Sequence, residues 1–186
     1  MSALQFLKNL HLAYFSKPVA DRVIYQVIAK QRPKSIVELG FQSGQRAQRM
    51  LQRLLQEIPA AEVRYTGIDL FEARPADHPG VPLKQAYALL KPLGIKTQLV
   101  PGDPCGALSR SANNLRNTDL LIIAADQAGD SLERAWFYVP RMLTPTALVY
   151  VESATSAGAT EFRLVTADEV TALADPRKSG GGRRVA

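Results

Sequence analysis

The stretch Ser35–Arg46, SIVELGFQSGQR, constrains the fold more than any other part of this chain. A short apolar run ends in an acidic residue, two glycines follow four residues apart, and a helical pattern begins at once. That order predicts a buried parallel strand, a tight loop and a helix N-terminus. In such a corner, backbone N–H groups and the helix dipole face a nucleotide-like ligand.

Strand and helix patterns alternate along the rest of the chain. Apolar residues recur at helical spacing over about 3–14 (Leu4, Phe6, Leu7, Leu10, Tyr14) and 18–31, where Pro33 ends the run. Residues 1–32 therefore form a helical segment ahead of the strand at 35–39. A helix over about 45–57 follows, with Ala47, Met50, Leu51, Leu54 and Leu55 inward, then a strand over 63–70 closing at Asp69. Beyond the Pro- and acid-rich loop of 72–82, the pattern predicts a helix over 83–91 and a strand over 95–100. A polar helical stretch runs to Leu115, and DLLIIAA (119–125) is the clearest buried strand. A helix over 131–143 containing Pro140, a strand over 147–151, a small-residue loop over 153–160, a strand over 162–165 and a helix over 167–174 complete the order.

Alternation of this kind implies βαβ units with right-handed crossovers. The expected fold is α/β: a Rossmann-like, doubly wound, mostly parallel sheet of six or seven strands with helices on both faces, a three-layer sandwich. Residues 1–174 read as one domain and 175–186 as a disordered basic tail.

At 186 residues the chain can bury a core, and its 46% hydrophobic and 22% charged content is that of an ordinary soluble protein. No apolar run approaches the roughly 20 residues that cross a bilayer, and the start of the chain lacks a signal-peptide pattern. With Cys105 as the one cysteine, no internal disulfide can form, and a cytoplasmic location is expected. The net charge of +6 is largely terminal: without Arg177, Lys178, Arg183 and Arg184, 19 basic groups face 17 acidic ones. Arg46, Arg49 and Arg53 share one helix face, read as solvated rather than as a phosphate track, so no dedicated nucleic-acid binding is expected. His11, His78 and Cys105 have no partner at informative spacing and read as solvated or packing residues.

Two ligand classes compete for the glycine loop. A dinucleotide loop needs G-x-G-x-x-G, but here Gln42 stands where the second glycine would approach a diphosphate, and Gln45 stands at the third. The other pattern is E-x-G-x-x-x-G followed by an acid that closes the next strand. Glu38-Leu39-Gly40-Phe41-Gln42-Ser43-Gly44 and Asp69 meet it. On these residues the chain resembles the class I S-adenosylmethionine-dependent methyltransferases, in element order over about residues 20–152. ELGFQSGQRA and DLLIIAAD are most similar to the catechol O-methyltransferase-like branch.

The resemblance implies S-adenosylmethionine as cofactor, with Glu38, Gly40, Phe41, Gln42, Ser43, Gly44, Asp69, Leu70 and Asp103 around it. In this reading Glu38 faces the methionine-side ammonium, Asp69 accepts both ribose hydroxyls and Asp103 lies near the adenine. The branch also binds a divalent metal through an Asp after the fourth strand and an Asp-Asn pair after the fifth. Here those positions hold Asp126 and Glu152-Ser153, an incomplete set for an octahedral oxygen site, so no metal is expected.

Methyl transfer is an in-line displacement at a sulfonium, so positioning dominates, with deprotonation of the acceptor where needed. Asp126 is the candidate for acceptor contact or general base. The expected function is O- or N-methylation of a small-molecule acceptor. The alternatives are a non-catalytic interaction or regulatory protein on the same fold and, disfavoured by Gln42, an NAD-dependent oxidoreductase. The chain is short after the fifth strand, which leaves a sheet edge for a second copy or the N-terminal helices to cover; a homodimer is the candidate assembly.

Overall fold

Successive strand residues point to opposite faces of a sheet, so an uninterrupted apolar strand needs cover on both sides. The computed structural model describes residues 18–77, 80–155 and 158–175, and in it two separate cores meet that need. On one face Ile36, Leu120 and Ile122 pack with Ile24, Ile28, Met50, Leu51 and Leu54. On the other, Val37, Leu39, Leu121 and Ile123 pack with Leu108, Leu132, Trp136 and Val139.

The elements in chain order are α1 (Asp21–Gln31), β1 (Ser35–Leu39), α2 (Gln45–Leu54), β2 (Arg64–Asp69), α3 (Leu83–Leu90) and β3 (Lys96–Pro101). They continue with α4 (Pro104–Ser111), β4 (Thr118–Ile123), α5 (Asp130–Ala135), β5 (Leu143–Ala154), β6 (Thr160–Val165) and α6 (Ala167–Leu173). The described strands form one sheet in the order β3-β2-β1-β4-β5-β6. All neighbours are parallel except β5 and β6. This is the Rossmann-like α/β sheet that the alternation predicts. The strand order reverses between β1 and β4, which places a crevice at their carboxyl ends.

Three elements differ from the sequence reading. The helix expected over 131–143 divides into α5 and a 3-10 stretch, Trp136–Arg141, because Pro140 lacks the N–H that an α-helix would use. β5 extends past 147–151 in both directions. At its start, Pro145 lies in an irregular stretch between Leu143, paired with Thr118, and Leu148, paired with Leu120. At its end, Glu152, Ser153 and Ala154 leave the parallel ladder and pair with β6, so Ser153, Ala154 and Thr160 of the expected loop over 153–160 belong to strands. The helix expected over 3–14, with His11, lies outside the described residues, as do His78 and residues 176–186. Among the described residues no helix is long and apolar enough to cross a membrane.

Leu121 stands at the centre of β4 with no exposed surface. Leu121→Ala should destabilise the fold by about 2–5 kcal/mol, read as a lower urea midpoint at unchanged slope.

Candidate functional site

Glu38, Asp69, Asp103, Asp126 and Glu152 lie at or just beyond the carboxyl ends of β1, β2, β3 and β4 and near the end of β5. The structure gathers them on one rim, and supplies protein partners to each.

At the end of β1, Glu38 is fully buried. Arg46 Nε donates to its Oε1 at 2.7 Å and the Tyr65 hydroxyl donates to its Oε2 at 2.5 Å. Arg46 Nη2 also donates to the Gly40 carbonyl at 3.1 Å, while Nη1 lies 3.6 Å from Asp21 and 3.5 Å from Glu152. The Phe162 ring of β6 covers the guanidinium at 5.3 Å. Arg46 is thus a buried hub, which corrects its reading as part of a solvated helix face. Three carboxylates converge on its side of α2, and their attraction outweighs the cost of desolvating it. Arg53 differs from that reading too, since it pairs with Glu57 at 2.8 Å and is only 11% exposed.

One guanidinium faces three acids in this cluster. Burial pushes the Asp21 carboxyl up, and Arg46 and the Tyr25 hydroxyl offset only part of that. Burial also raises Glu38, again against Arg46 and Tyr65. Arg46 stays firmly protonated: burial alone would lower it, but Glu38, Asp21 and Glu152 hold it up.

The glycine loop is tight. Gly40 has φ of +91°, and a Cβ there would lie 2.6 Å from Ala124 Cβ, 2.9 Å from Asp126 Oδ1 and 3.1 Å from Gln127 Cγ. Phe41 turns into the core, with ring centroids 6.5 Å from Tyr65 and 6.0 Å from Phe71. Ser43 is exposed and Leu70 half-buried. Gln42 adopts φ of +54° and donates its N–H to Asp69 at 2.8 Å.

Asp69 is the most heavily bonded acid on the rim. Besides Gln42, it accepts the Phe71 N–H at 3.1 Å and a two-pronged contact from Arg74, Nε at 2.5 Å and Nη2 at 2.6 Å. Arg74 Nη1 reaches on to Asp126 at 2.7 Å. Asp126 is held below the usual carboxylate range; burial pushes it up, but hydrogen bonds from Gln127, Arg74 and Gln42 more than offset that. Such a carboxylate is ionised at neutral pH and is a weak proton acceptor. Asp103 caps α4 by accepting the Gly106 N–H at 3.1 Å and the Ser131 hydroxyl, which together lower it. Glu152 accepts the Ala125 N–H at 3.2 Å.

The rim groups that the sequence reading did not single out are Tyr65, Arg74, Gln127, Asp21 and the inward turn of Arg46. Only Arg46 left a usable signal, since it stands one turn before the inward-facing Met50 on the same helix.

The fold can now be placed among known structures. The chain is similar to an O-methyltransferase from Bacillus cereus in complex with SAH, at 12% identity over 82% of this chain and 67% of that one, with a TM-score of 0.55. It is similar to a TehB-like SAM-dependent methyltransferase from Corynebacterium glutamicum, at 17% identity over 95% and 80% of the two chains, with a TM-score of 0.51. A candidate O-methyltransferase from Nostoc punctiforme matches at 14% identity over 83% of this chain, which spans 42% of that protein's length, with a TM-score of 0.50. No protein-family model and no curated protein matches the sequence. At such identities the likeness is one of fold: the chain has the class I S-adenosylmethionine-dependent methyltransferase fold.

The buried acids carry a pH signature. A carboxyl whose folded pKa lies above its unfolded value favours folding below the unfolded value and loses that contribution as pH rises through the folded one. For Asp21, loss begins near the ordinary value of 3.8 and continues upward. Asp21→Asn should therefore gain thermal stability relative to the wild type as pH increases from about 3 to 7, in paired melting curves. A gap that narrows with pH would contradict this.

Proposed function

We propose that this chain is an S-adenosylmethionine-dependent methyltransferase acting on a small-molecule acceptor, with the cofactor at the rim beside Gly40 and Asp69. The observation that carries the reading is the position of Asp69. It closes the strand next to β1, beside the strand-order reversal, and presents both oxygens to paired donors, as a vicinal diol would require. Cation-accepting groups lie next to it: the Gly40 carbonyl and the Glu38 carboxylate already hold a guanidinium. The acceptor set therefore suits a ligand with a ribose at one end and a charged amino-acid moiety at the other.

The cofactor would supply an electrophilic methyl group on a sulfonium. Asp69 would hold the ribose, and the backbone of the 40–44 loop would follow the ligand. Asp103 would border the adenine side. Arg46 would set the shape of the methionine end by fixing the Gly40 carbonyl. Asp126, kept low, would orient an acceptor O–H or N–H rather than take its proton, which favours an acceptor that ionises readily.

A second reading, a non-catalytic protein on this fold, draws support from the same rim. Arg46 and Arg74 satisfy the two anchoring acids, and among the described residues no buried side-chain nitrogen or oxygen is without a partner.

Calorimetry separates the readings. S-adenosylhomocysteine should bind while NAD does not, and Asp69→Asn should weaken binding by about tenfold or more, as expected for loss of charged hydrogen bonds. Absence of heat with either S-adenosyl compound would favour the non-catalytic reading.

A further inference from the structure

Arg74 turns back from the segment after β2 and lies across the rim. Its Nε and Nη2 occupy the two oxygens of Asp69, and its Nη1 occupies Asp126. The side chain is only 7% exposed. The chain covers it at Gly80, where a Cβ would lie 2.6 Å from Arg74 Cδ and 2.9 Å from Nε. The Val81 N–H donates to the Gln42 carbonyl at 3.2 Å and ties that cover to the glycine loop. Arg74 therefore joins residues at the ends of β2 and β4, on either side of β1, at the reversal of strand order.

Two chemical properties define what could replace it. To Asp69 it offers two parallel N–H donors, the pattern of a pair of vicinal hydroxyls. To Asp69 and Asp126 together it offers a positive charge that does not titrate. Withdrawing that charge without replacement leaves the buried Asp69 carboxylate uncompensated beside the partly exposed Asp126, an arrangement that costs more than losing a surface ion pair. A neutral diol would meet the first requirement and fail the second.

We propose that Arg74 is a built-in competitor for the S-adenosylmethionine site, exchanged most readily for a ligand that gives Asp69 a diol and brings a positive charge toward Asp126. The inference rests on the reading of this rim as an S-adenosylmethionine site. Under it, Arg74 determines specificity: it admits the sulfonium-bearing cofactor and helps expel S-adenosylhomocysteine, which has lost that charge. The Arg74 side chain must swing off Asp69 and Asp126 for the exchange.

Calorimetric titration of the full chain with S-adenosylmethionine and S-adenosylhomocysteine tests this in the wild type, Arg74→Gln and Arg74→Lys. The wild type should bind the sulfonium ligand at least fivefold more tightly than its demethylated product. Arg74→Gln, which removes the competitor, should tighten S-adenosylhomocysteine at least tenfold, with Arg74→Lys between. Circular-dichroism melts verify folding, and the Lys variant serves if the Gln variant does not fold. Equal wild-type affinities, or folded variants that bind no more tightly than the wild type, overturn the inference and leave the site reading standing. No binding to any of the three proteins overturns the site reading and the inference with it.

Discussion

The buried pairing of Arg46 with Glu38 is the contact on which the rest of this structure leans. Through one guanidinium it joins the first turn of α2, the end of β1, the Gly40 carbonyl, Asp21 of α1 and Glu152 of β5, under the Phe162 ring of β6. A buried ion pair is weak evidence for stability, since desolvation offsets much of the attraction. Its effect here is geometric. Five elements must meet at one point for the charges to be answered, so the loop at 40–44 has a single place to lie. Burial raises the Asp21 and Glu38 carboxyls, and hydroxyl donors from Tyr25 and Tyr65 supplement the one guanidinium that faces them.

The same logic governs the open side of the rim. Asp69 is buried and Asp126 partly exposed, and Arg74 answers both carboxyl groups together. In this chain a protein cation satisfies them. On the proposed reading, a ligand at this rim would have to displace Arg74, so its charge would matter as much as its shape.

Much of the fold was legible because it follows from periodicity. SIVEL and DLLII carry apolar residues on both faces, with Ser35, Glu38 and Asp119 the exceptions, which already demands a doubly covered strand. The full reach of β5 and the form of the 136–141 segment were less legible, because the first depends on an antiparallel partner and the second on one missing N–H. At the site, the acids could be placed on the rim from strand ends alone. Their partners could not, and Arg46 was misread because helix spacing gives a face but not what packs against it.

The amino-acid sequence by itself determined the order of strands and helices, the two cores and the glycine-acid corner, since these depend on local periodicity and on residues close in the chain. Only the tertiary structure decided which cation answers which carboxylate. Arg74 reaches Asp126 across 52 positions, and Tyr65 reaches Glu38 across 27. Contacts of that separation depend on where strand ends and loops come to rest. No spacing rule carries that information, because charge attraction in a buried site is set by distance and desolvation rather than by position along the chain.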